Sequence, residues 1–346
     1  MAESPLPRAL RFLGPPIAAV YASVMARRNR GFDAGRGVVE IDRPVISVGN
    51  LTLGGTGKTP LVKKIVRELQ VAGRRPAIAM RGYAAKAGLS DEAVEYAAAC
   101  DGVPVVAQAN RLEGLLDLFA SSEGKEVDVV VLDDGFQHRR IARQLDIVLI
   151  DASKQPLRDR VFPAGTLREP LESLARADWA VVTHAESVRA AELAALIKQL
   201  SAIGGGIPIA IARHAWSSLR VIERGCERVE AVGWLRGKRV VAACGIGNPD
   251  AFLAGVRAAA GVSVREFVRP DHDPFSVATT GHLLNLAQSE AAAAVVVTAK
   301  DWAKLRRVRP EAWPCPVVVP ELDLTFDQGW DSLQSAVLAV HVDPGE

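Results

Sequence analysis

A glycine-rich stretch near residue 50 places the tightest constraint on the fold of this chain. The segment from Ser47 to Pro60 contains the core Gly54-Gly-Thr-Gly-Lys-Thr59. The apolar run from Pro44 to Val48 precedes it, and apolar residues at helical spacing follow from Leu61 to Leu69. The order strand, glycine loop, helix is that of a phosphate-binding loop, in which backbone N–H groups and a helix N-terminus surround an anion.

This P-loop predicts a site for a nucleoside triphosphate. We expect Lys58 to reach the β- and γ-phosphates and the Thr59 hydroxyl to ligate Mg²⁺. The predicted nucleotide contacts are Thr52, Leu53, Gly54, Gly55, Thr56, Gly57, Lys58 and Thr59. Thr52 stands where the Walker pattern has its first glycine, so the loop is a variant. The alternative is a structural glycine turn before a helix, which Gly-Lys-Thr in this context disfavours.

Composition indicates an ordinary soluble protein. The chain of 346 residues, 49% hydrophobic and 24% charged, is long enough for two domains. A formal net charge of +2 gives no reason to expect a nucleic-acid partner. The cysteines Cys100, Cys226, Cys244 and Cys315 lie far apart, which indicates neither a disulfide framework nor a zinc site and fits a reducing cytoplasm.

The N-terminus is apolar and then abruptly basic. Residues 10–26 are mainly apolar, and Arg27-Arg-Asn-Arg30 follows. About 15 apolar residues interrupted by Pro15 and Pro16 fall short of the roughly 20 that a spanning helix needs. An apolar face can be formed by Phe12, Leu13, Ile17, Val20, Tyr21 and Val24, with Arg8, Arg11, Arg27, Arg28 and Arg30 available for anionic headgroups. The residues leave open whether this helix lies on a membrane or packs on the protein itself.

The rest of the chain predicts an α/β fold with a mostly parallel sheet. Buried-strand patterns occur at 76–80, 103–107, 127–132, 145–150 and 179–183, separated by helical or turn-rich stretches. We predict an N-terminal membrane-interface helix at 1–30, a P-loop kinase domain at 31–206, a β connector at 207–238 with antiparallel strands around Gly225, and a smaller α/β domain at 239–346. The C-terminal segment has the alternative of returning to the first domain.

Two adjacent carboxylates predict the metal site. Asp133 and Asp134 directly follow the hydrophobic run 127–132, at the strand end where P-loop folds hold Mg²⁺. One carboxylate can take the metal or its water while its neighbour orients a water or the acceptor. The alternative is that Asp-Asp-Gly is only a turn.

Phosphoryl transfer also needs a group that accepts the proton of the acceptor hydroxyl. The candidates are Asp91-Glu92 and Asp271-His272, although loop charges of this kind are more often simply solvated. His138, His184 and His214 are weaker candidates, since each can satisfy neighbouring backbone groups.

These residues together resemble the tetraacyldisaccharide 4′-kinase family, the lipid A kinases of Gram-negative bacteria. The resemblance extends over nearly the whole chain. The matching stretches are Ser47–Asn50, Gly54–Pro60, Arg81–Tyr83, Asp91-Glu92, Asp133–His138, Phe162–Pro170, Gly245–Pro249, Asp271-His272 and Thr298–Asp301.

The resemblance implies ATP-dependent phosphorylation of the 4′-hydroxyl of a tetraacylated disaccharide 1-phosphate, giving lipid IVA, at the cytoplasmic face of the inner membrane. It implies that Lys58 and Thr59 bind triphosphate and Mg²⁺, that Asp133 and Asp134 serve the metal, and that Asp91 is the base. His272 would tune or orient that base. Further site residues are Glu92, Gln137, His138 and Asp271. An acylated substrate stays in the bilayer, which favours membrane docking by the N-terminal helix.

Two departures from the family pattern stand out. Ser90-Asp-Glu-Ala93 replaces the frequent Gly-Asp-Glu-Pro, and Thr298-Ala-Lys-Asp301 replaces Thr-Glu-Lys-Asp. Neither removes a charged residue assigned above.

Two other functions fit parts of the sequence. A P-loop GTPase switch needs Asn/Thr-Lys-x-Asp, whereas Lys300 and Asp301 are adjacent here and Trp302 follows. A kinase of a soluble small molecule fits the P-loop equally well, but it leaves the apolar, arginine-flanked N-terminus unexplained.

Overall fold

The computed structural model describes residues 14–53, 56–82, 91–247, 249–261, 264–271 and 273–341, with the backbone alone for Asp91 and Glu92. These residues form two compact units. Unit 1 comprises the residues up to His214 and those from Leu324 onwards, and unit 2 comprises Ala215–Asp323. The predicted division at 30, 206 and 238 stays a prediction.

The helices of the described residues are α1 (Gly14–Asp33), α2 (Lys58–Val71), α3 (Asp91–Ala99), α4 (Arg111–Ala120), α5 (Ala190–Ile203), α6 (Pro249–Ala260), α7 (Val277–Ser289), α8 (Ala299–Leu305) and α9 (Trp330–Leu338). The strands are β1 (Val45–Asn50), β2 (Pro76–Met80), β3 (Val105–Ala107), β4 (Val129–Asp133), β5 (Leu145–Asp151), β6 (Trp179–Thr183), β7 (Ile209–Glu223), β8 (Cys226–Glu230), β9 (Val240–Cys244), β10 (Val264–Val268), β11 (Ala294–Val297) and β12 (Val317–Gln328).

Unit 1 is built on a parallel sheet with the strand order β7-β6-β5-β1-β4-β2-β3. All residues of β1, β4 and β5 are buried, as expected for parallel strands covered on both faces. Val48 of β1 lies beside Asp133 of β4, so the P-loop and the predicted metal carboxylates leave the same edge of neighbouring strands. The predicted α/β class with a mostly parallel sheet is confirmed.

Unit 2 is a smaller α/β unit with its own apolar core. Strands β10, β9, β11 and β12 pair in parallel in that order. The predicted antiparallel pairing around Gly225 is confirmed, because β7 and β8 form a hairpin that pairs Glu223 with Cys226. Within the predicted connector, the first antiparallel strand is a single long strand, Ile209–Glu223.

The C-terminal residues from Leu324 onwards belong to unit 1. The amide of Gln334 in α9 donates to the carboxylate of Glu68 in α2 at 2.6 Å. The ammonium of Lys64, also in α2, lies 4.5 Å from the ring centroid of Trp330. Helix α9 is therefore held against α2 by polar and cation–π contacts.

Helix α1 has one buried face and one exposed apolar face. Ala18 and Met25 are buried, whereas Val20 and Val24 are 66% and 60% exposed. Near its C-terminal end, Asn29 donates to the carboxylate of Glu169 at 2.6 Å. Within the described part of the chain, no helix combines the length and apolarity needed to cross a membrane. Phe12, Leu13, Arg8 and Arg11 lie outside the described residues.

Candidate active site

The entry to the P-loop is fixed by pairing with a distant segment. Thr52 forms an antiparallel bridge with Leu167, and the Leu53 N–H donates to the Thr166 carbonyl at 2.8 Å. Thr52 is 6% exposed, and its carbonyl accepts from the Asn50 side chain at 2.8 Å. An extended, bridged residue has no need of glycine, which explains why threonine stands where the Walker pattern has its first glycine. Gly54 and Gly55 lie outside the described residues.

The last glycine of the loop is required by its geometry. Gly57 has a φ of 83° immediately before α2, a backbone conformation that strongly favours glycine. A Cβ added there would also overlap the Nε2 atom of His214. The preceding residue, Thr56, is buried, and its carbonyl accepts a hydrogen bond from the Thr183 hydroxyl at 3.0 Å.

Lys58 begins α2 and points toward the end of β4. Its Nζ lies 3.3 Å from Asn50 Oδ1 and 3.3 Å from Asp134 Oδ1. The side chain is only 15% exposed, so the ion pair is shielded from solvent and is stronger than a surface pair. The structure therefore brings the predicted phosphate-binding lysine to one of the predicted metal carboxylates.

The side chain of Tyr96 in α3 is hydrogen-bonded to both Asp133 and Thr59. The Tyr96 hydroxyl donates to Asp133 Oδ2 at 3.1 Å. Burial raises the pKa of Tyr96 well above its ordinary value, the negative charge of Asp133 raises it further, and a hydrogen bond to Thr59 opposes this shift. Tyr96 thus stays protonated and connects two of the predicted metal ligands.

Asp134 is held by cations from separate segments. Its Oδ2 accepts from Arg168 Nη1 at 2.7 Å, and its backbone carbonyl accepts from Arg111 at 3.1 Å. Burial by itself disfavours its charged form, but the positive charges of Lys58 and Arg168 outweigh that effect and lower the pKa of Asp134. With a φ of 52°, Asp134 has the left-handed conformation that aspartate tolerates better than most residues.

Gln137 and His138 extend the same network. Gln137 donates to the Asn50 carbonyl at 3.0 Å and accepts from Arg168 at 3.2 Å. Burial, followed by the charges of Arg111 and other nearby arginines, lowers the pKa of His138 to about 4. His138 is therefore uncharged near neutral pH.

The donor set fits Mg²⁺. The Thr59 hydroxyl and the carboxylates of Asp133 and Asp134 are hard oxygen ligands, which Mg²⁺ prefers. In the described part of the chain, no group of acidic, histidine or cysteine side chains makes a metal site of three or more protein ligands. Mg²⁺ commonly uses only one or two carboxylates together with water and substrate phosphates, so Asp133 and Asp134 with Thr59 would suffice as its protein ligands.

The predicted acceptor groups are only partly described. Asp91 and Glu92 begin α3, the helix that also carries Tyr96. Asp271 lies in unit 2 close to Gly247, with its Oδ2 3.2 Å from the position of a Cβ on that glycine. His272 lies outside the described residues, so the predicted pairing of Asp91 with His272 stays a prediction.

Sequence reasoning missed four side chains of this network, namely Asn50, Tyr96, Arg111 and Arg168. Asn50 and Arg168 lie within stretches that carry the family resemblance, Ser47–Asn50 and Phe162–Pro170, and this was the available signal. Tyr96 and Arg111 lie in α3 and α4 without a motif, and only the folded structure places them beside the acid pair.

Comparison with known proteins gives consistent results. A family model for tetraacyldisaccharide-1-P 4′-kinase matches residues 10–340. Tetraacyldisaccharide 4′-kinase of Geobacter metallireducens is 36% identical over 84% of this chain and 87% of its own length, and that of Geobacter sulfurreducens is 35% identical over 86% of each. The crystal structure of LpxK from Aquifex aeolicus in complex with ATP matches 95% of this chain and 98% of that chain, with a TM-score of 0.73 and 28% identity.

Proposed function

This chain belongs to the tetraacyldisaccharide-1-phosphate 4′-kinase family, and we propose which of its residues carry out the reaction. It is an ATP-dependent kinase that phosphorylates the 4′-hydroxyl of a tetraacyldisaccharide 1-phosphate in lipid A synthesis. The function predicted from sequence is therefore confirmed. The residue roles, the metal and the membrane contact that follow are our proposals.

The contact between Lys58 and Asp134 carries the assignment of the donor site. Lys58 starts the helix after the P-loop, and Asp134 follows the adjacent strand β4, so the lysine lies where a triphosphate and its metal would meet. In our proposal Lys58 binds the β- and γ-phosphates, and Thr59, Asp133 and Asp134 hold Mg²⁺. The metal would neutralise charge on the transferring phosphoryl group, and Lys58 and Arg168 would add positive charge there.

Asp91 is proposed to take the proton of the 4′-hydroxyl, with His272 orienting or tuning it. The support is the position of Asp91 at the first residue of α3. Tyr96, five positions later in this helix, donates to Asp133. Five residues of helix span about 7.5 Å along the axis, so the start of α3 is close to the proposed metal carboxylates.

Helix α1 is proposed to hold the protein at the cytoplasmic face of the inner membrane as a peripheral protein. The exposed Ile17, Val20 and Val24 form an apolar stripe, and the basic segment Arg27–Arg30 follows it. Apolar residues beside arginines suit the boundary between acyl chains and anionic headgroups. An acylated disaccharide resides at that boundary, so this contact would bring the active site to its substrate.

Transfer of label from γ-labelled ATP to a tetraacyldisaccharide 1-phosphate in detergent micelles tests the assignment. We expect label in the lipid for the full chain and for Lys198→Ala, a matched control at an exposed position of α5. Lys58→Ala should lower kcat/KM by at least roughly 100-fold, because a preorganised charge at the transferring group is lost. Unlabelled lipid with the unmodified chain contradicts the function, and normal transfer by Lys58→Ala contradicts the P-loop assignment.

A further inference from the structure

A stacked pair of histidines lies beside the last glycine of the P-loop. His184 directly follows β6, and His214 lies in β7, the neighbouring strand. Their ring centroids are 4.1 Å apart, and the planes are inclined by 25°. The Nε2 edge of His214 occupies the space that a Cβ of Gly57 would need. The ring is therefore packed directly against the backbone that leads into Lys58.

The buried carboxylate of Asp151 holds the His184 ring of the pair. Asp151, at the end of β5, is 4% exposed, and its Oδ1 lies 3.3 Å from His184 Nδ1. The same oxygen accepts from the Ser153 N–H at 3.0 Å, and Lys154 Nζ lies 3.6 Å from the other oxygen. Burial opposes ionisation of Asp151, but the hydrogen bond and charge of His184 outweigh it and lower the pKa of Asp151. The carboxylate thus stays charged and fixes the ring on which His214 stacks.

The strand end that carries His184 also contacts the residue before Gly57. The hydroxyl of Thr183 donates to the Thr56 carbonyl at 3.0 Å. Consecutive residues of the loop, Thr56 and Gly57, are thus contacted by Thr183 at the end of β6 and by His214 within β7. The entry of the loop is supported separately, by the hydrogen bond from the Leu53 N–H to the Thr166 carbonyl.

His214 acts at this place as an uncharged ring. Burial lowers its pKa to about 4, the charge of His184 lowers it as well, and Asp151 opposes these effects. Its Nδ1 is buried and has no hydrogen-bond partner among the described residues. Near neutral pH the ring therefore contributes shape and packing to the P-loop rather than a positive charge for a phosphate.

We propose that His214 is a positioning residue for nucleotide binding. The ring, held through His184 by Asp151, fixes the backbone of Gly57 and with it the direction of Lys58. The inference rests on the proposed binding of triphosphate by the P-loop. Without the ring, ATP binding would have to order a looser loop, and ordering a loop on binding lowers affinity. Once ATP is bound, the phosphates hold the loop, so loss of the ring should weaken ATP binding more than it slows transfer.

Steady-state kinetics of His214→Ala, His214→Phe and His341→Ala in the full chain test the proposal. His341 is an exposed histidine outside this cluster and serves as the control. We expect His214→Ala to raise the KM for ATP roughly tenfold, with the KM for the lipid and kcat changed less than about threefold. His214→Phe keeps a ring and should stay close to the unmodified chain. An unchanged KM for ATP in His214→Ala overturns the proposal. An equally raised KM for ATP in His214→Phe also overturns it, because the effect would then belong to a ring nitrogen and not to the packing of the ring.

A double-mutant cycle tests the contact between the His214 ring and Gly57 directly. Gly57→Ala should weaken equilibrium binding of ATP both through its positive φ and through overlap with the His214 ring. In a chain that already carries His214→Ala, this overlap is absent. Gly57→Ala should therefore lower the affinity for ATP by a smaller factor there than in the unmodified chain. Additive losses overturn the proposal.

The same measurements separate this inference from the function on which it rests. If Lys58→Ala transfers phosphate normally, the P-loop assignment fails and the role of His214 fails with it. If Lys58→Ala is inactive while His214→Ala binds ATP normally, only the role of His214 is wrong.

Discussion

At the scale of single residues, Asp134 shows how the site keeps a charged carboxylate before any ligand arrives. Lys58 and Arg168 come from segments far apart in the chain, and each contacts a different oxygen of Asp134. Their charges hold the pKa of Asp134 below its ordinary value although burial opposes this. The carboxylate is thus ionised and oriented, which is the state that a divalent cation needs.

Removal of Arg168 should therefore weaken the site without removing a proposed ligand. We expect Arg168→Gln to lower kcat/KM by roughly 10- to 100-fold, since a charged hydrogen bond to a shielded partner contributes about 1.5–3 kcal/mol. Kinetics at varied Mg²⁺ measure the effect, and the requirement for Mg²⁺ should rise. Arg160→Gln is the matched control, because Arg160 is an exposed arginine of the same loop. Equal kcat/KM for Arg168→Gln and the control would show that Asp134 needs no second cation.

A buried neutral histidine makes stability depend on pH. Because burial lowers the pKa of His214 from 6.5 to about 4, the unfolded chain binds a proton between these values that the folded chain does not. The free energy of unfolding should consequently fall as the pH drops from about 6.5 to about 4, and this contribution is fully present above that window. Between pH 7 and pH 4.5, the free energy of unfolding of His214→Phe should fall by on the order of 1–2 kcal/mol less than that of the unmodified chain. Urea unfolding at pH 7 and pH 4.5 measures it; the same pH difference in both proteins contradicts the assignment.

The residues that sequence reasoning found differ physically from those it missed. Lys58, Asp133 and Asp134 are tied to a local pattern, because a glycine loop and a strand end fix where their side chains go. Tyr96 and Arg111 belong to helices, and their polar groups reach the acid pair only through tertiary packing. A local pattern carries no information on such a contact.

At the scale of elements, two strands of the unit 1 sheet were predicted to the residue, whereas the long strand β12 was not predicted. The runs at 76–80 and 179–183 match β2 and β6 to the residue. Only the first four residues of β12 are continuously buried, and Pro320 is one of them; the residues that follow are mostly half-buried or exposed. The sequence signal comes from burial on both faces, which β12 has only at its start.

Helix α1 provides a test of membrane docking at this scale. The double variant Val20→Glu/Val24→Glu should reduce flotation with vesicles containing anionic lipid by at least about tenfold, since two exposed apolar side chains would no longer be buried in the interface. Val229→Glu is the control, because Val229 is 70% exposed in β8. Flotation of the double variant equal to that of the control would contradict the proposed role of α1.

Point variants are better suited to this test than removal of residues 1–30. Asn29 of α1 donates to Glu169, which is completely buried, and Arg176 pairs with the same carboxylate. A truncated chain would lose a hydrogen bond inside unit 1 along with the exposed valines. Loss of activity would then have two causes, whereas Val20 and Val24 point away from these contacts.

At the scale of the whole molecule, each unit has its own apolar core. Leu61, Ile65 and Leu333 belong to one cluster of unit 1, and Leu253 and Val256 belong to a cluster of unit 2. The strand patterns predicted the α/β class of both units. The strand order, with β1 between β4 and β5, depends on crossovers that no local pattern specifies.

Separate cores lead us to expect separable unfolding. Ile65→Val should lower the melting temperature of a transition that ATP with Mg²⁺ raises, because ligands stabilise the unit that binds them. Leu253→Ala, which removes buried apolar volume from unit 2, should lower a transition that responds less to nucleotide. Differential scanning calorimetry with and without nucleotide measures both. A single transition that shifts equally in both variants would mean that the units unfold as one.

The bridge between Thr52 and Leu167 has an evolutionary consequence. The Arg168 N–H donates to the Leu51 carbonyl at 2.7 Å, and the Leu53 N–H donates to the Thr166 carbonyl at 2.8 Å. An insertion in either segment would shift this register and displace the arginine that contacts Asp134. Among relatives, we therefore expect no insertions or deletions in either paired segment, 51–53 or 166–168, whereas the loops that flank these segments can vary in length. An alignment of the family would reveal this pattern as paired gap-free columns.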